Sequence, residues 1–170
     1  YAAARLSAFR NVWWSMANEF DIEKSKTMAD WDSLFVTLRA ADPYNKERSI
    51  HNCVSYYNHS RPWISHISLQ GHDVAQLDMA KSTWWPNASH PWVSGGVKKA
   101  IVWDETMYEG NITYSWGSLS AEVQAQRFWT AVSNGAHCAG HSNTALLPDN
   151  LPNCSDPNNN GQGGKPLCNP

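Results

Sequence analysis

The stretch from Arg10 to Phe20 opens with large apolar side chains, Val12, Trp13, Trp14 and Met16, and stops at the polar pair Asn18-Glu19. An apolar run ending in polar residues predicts a strand buried on both faces, its chemistry displayed at its C-terminal end. A helix is predicted next, from about Thr27 to Ala41. Met28, Trp31, Leu34, Phe35 and Leu38 share one side at helical spacing, and Asp42-Pro43 ends the run. Thr27 with Asp30 three residues later resembles a capping box, with Asp in place of Glu. Further short apolar runs predict strands over Arg48–Cys53, Ile64–Leu69, Ala100–Glu105 and Ala136–His141. A second helix falls between the last two. Ala125, Phe128, Trp129 and Val132 repeat at i, i+3, i+4 and i+7, Ser120 caps the start and Asn134-Gly135 closes the end. Val74 to Ser82 reads as a further helix.

Strand and helix in alternation predict an α/β fold with a parallel sheet and helices outside it. No glycine-rich phosphate loop follows a strand, which disfavours a nucleotide-binding fold and leaves a β/α barrel as the better fit. Five strands cannot close an eight-stranded barrel, and the chain opens at Tyr1 on residues that read as mid-helix. The expectation is therefore a partial (β/α)8 TIM barrel, its N-terminal strands missing from this sequence. Residues 1–147 would form the C-terminal part of the catalytic domain. Residues 148–170, in which 14 of 23 are Pro, Asn or Gly, would form a poorly ordered tail.

Charge narrows the possible partners. A formal net charge of −2 gives no electrostatic case for nucleic acid or an anionic membrane. No apolar run reaches the roughly 18 residues of a membrane span. Ten Trp among 170 residues point elsewhere, because an indole offers a flat apolar platform with one N–H donor, suited to a sugar ring. The same residues could serve a large core by volume alone. The four cysteines, Cys53, Cys138, Cys154 and Cys168, match no zinc spacing, and a Cys154–Cys168 disulfide is plausible. Glycosylation sequons at Asn58, Asn87, Asn111 and Asn153 lean toward a secreted protein.

Two carboxylates stand at strand ends: Glu19 after Asn18, and Glu105 closing Ile101-Val102-Trp103-Asp104-Glu105. A carboxylate following a buried apolar run is costly unless it is paired or used. Glycoside cleavage uses such a pair, one protonating the leaving oxygen and one attacking the anomeric carbon, roughly 5–5.5 Å apart in retaining enzymes. The structural alternative has Glu19 capping a loop and Glu105 binding an arginine.

Trp14-Ser15-Met16-Ala17-Asn18-Glu19-Phe20-Asp21 resembles the fourth-strand Asn-Glu motif of clan A glycoside hydrolases. The resemblance implies Glu19 as acid/base, Asn18 as ligand of the substrate 2-hydroxyl, and a nucleophilic Glu ending strand seven. Glu105, 86 residues on, falls where that strand should end. Phe9-Arg10-Asn11-Val12-Trp13-Trp14-Ser15, Asp42-Pro43-Tyr44, Arg48-Ser49-Ile50-His51, Tyr108-Glu109-Gly110 and Arg127-Phe128-Trp129 resemble phrases of an apiosidase-like branch of that clan, over roughly residues 1 to 144. It implies a retaining O-glycoside hydrolase acting, without a cofactor or metal, on a plant, algal or microbial oligo- or polysaccharide. Ser142-Asn143 departs from the Gly and Glu that the resemblance implies there, which implies a change in either a substrate contact or the setting of a pKa.

In the barrel reading His51, Gln70 and His141 line the mouth and bind sugar hydroxyls, though each could equally be a structural hydrogen-bonding residue. His66, inside its strand, could be a core histidine. Tyr108 could orient the nucleophile, and Glu109 competes with Glu105 for that role. His137 and His141 invite a metal site, but residues four apart on a strand stand about 13 Å apart. The rival function is a carbohydrate-binding or catalytically inactive barrel remnant.

Overall fold

The computed structural model describes residues 1–85, 98–109, 116 and 119–138. The helices form where caps and spacing place them. Ala2–Leu6 is α1, with Tyr1 at its N-cap. Met28–Ala41 is α2, with Thr27 at its N-cap and both halves of the capping box present. The Thr27 amide donates to Asp30 Oδ2 at 2.7 Å, and the Asp30 amide donates back to Thr27 Oγ1 at 3.3 Å. Ala75–Trp84 is α3, its first amide held by Asp73 Oδ1 at 2.8 Å. Ala121–Ser133 is α4, capped by Ser120 and closed at Asn134, with Gly135 at φ 78° making the left-handed turn after it.

Except for Ala100–Glu105, the strands are shorter than the apolar runs. Trp14–Ser15 is β1 and Arg48–Ser49 is β2, parallel, with Trp14 opposite Arg48. His66–Gln70 is β3, Ala100–Glu105 is β4 and His137–Cys138 is β5, hydrogen-bonded in the order β3-β4-β5. The result is a mixed α/β fold with parallel strands in small sheets. Among the described residues these sheets close no barrel.

The chain divides into two compact units, Tyr1–Leu69 with Asp78–Val102, and Gln70–Leu77 with Trp103–Pro170. In the first, Phe20, Trp31, Phe35, Ile50, Tyr57 and Ile64 form the core, each aliphatic or aromatic side chain contributing about 1.5–3 kcal/mol by leaving water. Phe20 meets Trp31 and Tyr57 edge-on at 6.2 and 5.9 Å. The Tyr57 hydroxyl donates to Asp32 and accepts from Trp63 Nε1 at 2.9 Å, so the ring is buried with its polar tip satisfied. Asp42, just past α2, accepts from Trp14 Nε1 at 2.9 Å and from the Tyr44 and Lys46 amides. In the second unit, buried Trp103 donates from Nε1 to the Gly71 carbonyl at 3.1 Å. Gln124 on α4 meets buried Thr106, its Nε2 donating to Oγ1 at 3.1 Å.

Three expectations are corrected. The run from Val12 to Ala17 is not a doubly buried strand. Trp13 is 59 % exposed, and its ring stacks on His66 at 5.0 Å, so that histidine lies buried in β3 against an indole. On α2, Trp31 and Phe35 are buried, whereas Met28 and Leu34 reach solvent. On α4 the buried positions are Gln124 and Ala131, while Trp129 is 66 % exposed. The apolar stripe misleads there because the inward face includes a polar residue whose amide is satisfied by Thr106.

Candidate functional site

Glu19 owes its position to a break in a ladder. The amides of Trp14 and Met16 donate to the Glu47 and Ser49 carbonyls at 2.7 and 2.9 Å, continuing the β1–β2 pairing. His51 then donates to the Ala17 carbonyl at 3.1 Å and accepts from the Phe20 amide at 3.0 Å. Asn18 and Glu19 are therefore looped out between two residues that share one partner, as in a bulge, a device that re-aims side chains at a strand end. Glu19 takes φ 46°, ψ 53°, a left-handed conformation that costs a residue with a Cβ roughly 1–2 kcal/mol. Asn18 is exposed and Glu19 half-buried.

The segment beyond the bulge is tied down by Asp21. Its carboxylate accepts from the Cys53, Val54 and Ser55 amides at 2.6, 2.8 and 2.7 Å. Burial pushes the Asp21 carboxyl up, but these backbone donors outweigh it and hold its pKa below the ordinary value. Sequence reasoning did not single out Asp21; its signal was an Asp two residues past a candidate acid, facing a polar turn. His51 is buried, with Nδ1 3.3 Å from Ser68 Oγ.

Glu105 ends β4 in the second unit. Its carbonyl accepts from the Gly71 amide at 2.9 Å, and Gln70 is buried beside that glycine at the end of β3. Met107, at φ 73°, turns the chain back on itself, and the Tyr108 hydroxyl donates to Glu105 Oε1 at 2.7 Å. A second donor reaches the same oxygen: Trp116 Nε1, also at 2.7 Å. The Tyr108 amide donates to the Trp116 carbonyl at 2.8 Å and Glu109 bridges to Leu119, which fixes the indole's backbone beside Glu105. Glu109 lies in that bridge rather than on the β4 end. Trp116 was missed in the sequence because nothing in its spacing ties it to a carboxylate 11 positions earlier. Arg127 from α4 donates to the Thr106 carbonyl, pinning the turn that follows Glu105.

Of the residues singled out in the sequence, the first unit thus contains Asn18, Glu19 and His51, and the second Gln70, Glu105 and Tyr108. His141 and the tail over 148–170 lie outside the described residues. Among the described residues, no three His, Cys, Asp or Glu side chains gather as metal ligands would.

No family model and no curated protein matches the chain. A solved structure does: a protein of Bacteroides vulgatus ATCC 8482 described as a "putative glycoside hydrolase", 34 % identical, with a TM-score of 0.65. The match covers 84 % of this chain and 26 % of that one, so the chain spans about a quarter of its neighbour's length. At that identity and TM-score, the chain has a glycoside hydrolase-like fold over the matched part.

Proposed function

We propose that the chain is the C-terminal part of a clan A (β/α)8 barrel of the apiosidase-like branch, and that it serves retaining hydrolysis of an extracellular oligo- or polysaccharide. The observation that carries this reading is Glu105, a carboxylate at a strand end whose Oε1 takes one phenolic and one indole donor, each at 2.7 Å. A carboxylate so held is oriented, as a nucleophile must be. The bulge and left-handed backbone at Glu19 add support, since strained conformations gather where function over-determines the geometry. The solved neighbour, described as a "putative glycoside hydrolase", supports the coarser reading of a glycosidase.

In this reading Glu105 attacks the anomeric carbon as the glycosidic bond breaks, and the proton of Glu19 passes to the leaving oxygen. Asn18 holds the 2-hydroxyl. Water then attacks the anomeric carbon, its proton goes to Glu19, and the bond to Glu105 breaks with the electron pair returning to the carboxylate.

The test is turnover of a panel of 2,4-dinitrophenyl pentosides and hexosides, with the product anomer followed by proton NMR. Wild-type protein should release sugar of retained configuration, and Glu105→Gln should remain folded with turnover below detection. Glu19→Gln should still release dinitrophenol in a first burst, because so acidic a leaving group needs little protonation. Inverted product, or an active Glu105→Gln, would overturn the assignment.

A further inference from the structure

We infer that the chain carries a non-catalytic saccharide-binding site, an aromatic trough built on Trp13 and Tyr44 that holds a neutral oligo- or polysaccharide without cutting it. The site uses neither Glu19 nor Glu105, so it goes beyond the reaction proposed above and does not depend on it.

The trough lies ahead of the first strand pair. Among the described residues Arg10, Asn11, Trp13, Tyr44, Lys46 and Glu47 line an open space of about 480 Å³. Small-ligand sites span roughly 300–1,000 Å³. These residues precede Trp14 and Arg48, the first paired residues of β1 and β2. The two strands are parallel and run away from the trough, and Asn18 and Glu19 follow their far end. Extended backbone from Trp13 to Asn18 reaches up to roughly 16 Å. The trough and Glu19 therefore stand at opposite ends of one ladder.

Its two rings are presented for stacking. Trp13 rests on His66, the ring centroids 5.0 Å apart and the planes 21° from parallel, yet the residue is 59 % exposed. With one face backed, that exposure belongs to the other face and the edges. An indole so backed is a flat apolar platform held in place for the C–H face of a sugar. Tyr44 is 61 % exposed, and the loop beneath it is tied at several points. Asp42 accepts from the Tyr44 and Lys46 amides at 3.0 and 2.9 Å. The Arg48 guanidinium donates to the Lys46 carbonyl at 2.7 Å and to Asn45 Oδ1 at 3.0 Å. The Trp14 amide donates to the Glu47 carbonyl at 2.7 Å. A ligand meets a loop that is already ordered, which lowers the entropic cost of binding.

The polar rim selects the occupant. A protein partner would bury Lys46 and Glu47, residue types depleted from interface cores. A sugar leaves the rim wet, and its hydroxyls both donate and accept, so cation, carboxylate and amide are each satisfied directly or through water. Arg10 and Lys46 set against Glu47 concentrate neither sign of charge strongly, which favours a neutral chain over a polyanion.

The test is native electrophoresis of the whole chain through gels containing arabinoxylan, xyloglucan, galactomannan or laminarin. At least one polysaccharide should retard wild type. Trp13→Ala and Tyr44→Ala should each weaken that binding about tenfold, whereas folded Glu105→Gln should retain it. Should Trp13→Ala fail to fold, Tyr44→Ala decides, because it removes an exposed ring. Free migration of wild type in every gel overturns the inference. Retardation that survives both aromatic substitutions, or that disappears in folded Glu105→Gln, overturns it too. A wild-type dimer on gel filtration that becomes monomeric in Tyr44→Ala would make the trough an interface between copies, and would equally overturn it. Retardation of wild type without hydrolysis of any dinitrophenyl glycoside would overturn the hydrolase reading and leave this site standing.

Discussion

At Glu19, backbone strain and the acid/base role proposed for the side chain are set against each other in one residue. Its φ of 46° and ψ of 53° lie where only glycine sits without a steric cost, and the adjacent ladder bonds at Ala17 and Phe20 hold it there. Glu19→Gly removes the clash between Cβ and backbone but gains chain entropy in the unfolded state. The net expectation is a protein more stable by up to about 1 kcal/mol, with a higher Tm and, on dinitrophenyl glycosides, a first burst without sustained turnover. Calorimetry checks it. A lower Tm would mean that contacts of the Glu19 side chain outweigh the strain, and the bulge would then need another explanation. The residue scale is also where the sequence says least. An Asn-Glu after an apolar run marks Glu19 as a candidate, yet its left-handed backbone depends on His51 bonding across to both Ala17 and Phe20, a pairing absent from local sequence.

Elements were legible in proportion to how local their determinants are. The α2 cap and the Ser120 cap are contacts over three residues, and both helices begin where those side chains predict. Ala100–Glu105 is a strand over the range its apolar run marks. The inward face of α4 was misread because Gln124 is buried by a partner 18 positions away. Segment Trp14–Ser15 is shorter than its apolar run because burial of that run is incomplete, as the exposure of Trp13 shows. Non-local pairing also sets the hold of Asp21 on the turn at 53–55, where one carboxylate satisfies three amides. Asp21→Asn keeps one acceptor oxygen and loses the charge. It should cost about 1–3 kcal/mol in urea unfolding and speed amide exchange at Val54 and Ser55. Unchanged exchange there would show that the turn holds itself.

For the molecule as a whole, the buried titratable groups fix how stability follows pH. His59 is fully buried, and among the described residues neither ring nitrogen has a hydrogen-bond partner. Burial first, then the Lys99 ammonium and His66, pull its pKa down from 6.5 to about 3. The unfolded chain therefore binds a proton below pH 6.5 that the folded chain refuses until about pH 3. Stability from this group is complete above 6.5 and falls by about 1.4 kcal/mol per pH unit across that window. Asp21 and Asp42 add a second loss at lower pH. Burial raises both, their hydrogen bonds outweigh it, and the stability they contribute is present above 3.8 and disappears as pH falls through their depressed values. Lys99 acts at the other end. Burial lowers it to about 8, so stability rises as pH climbs from 8 toward 10.5, where only the unfolded chain retains that proton. His59→Leu separates these contributions, because it removes two unsatisfied buried nitrogens and leaves the His59-position carbonyl to receive Lys99 Nζ as before at 2.6 Å. The variant should be more stable by about 1–3 kcal/mol at pH 7 and should lose the slope between pH 6.5 and 4 while keeping the carboxylate limb below it. Urea unfolding at pH 7, 5.5, 4.5 and 3.5 measures both. Parallel curves for wild type and variant would mean that the His59 ring titrates in the folded state, and that its two nitrogens are reached by solvent.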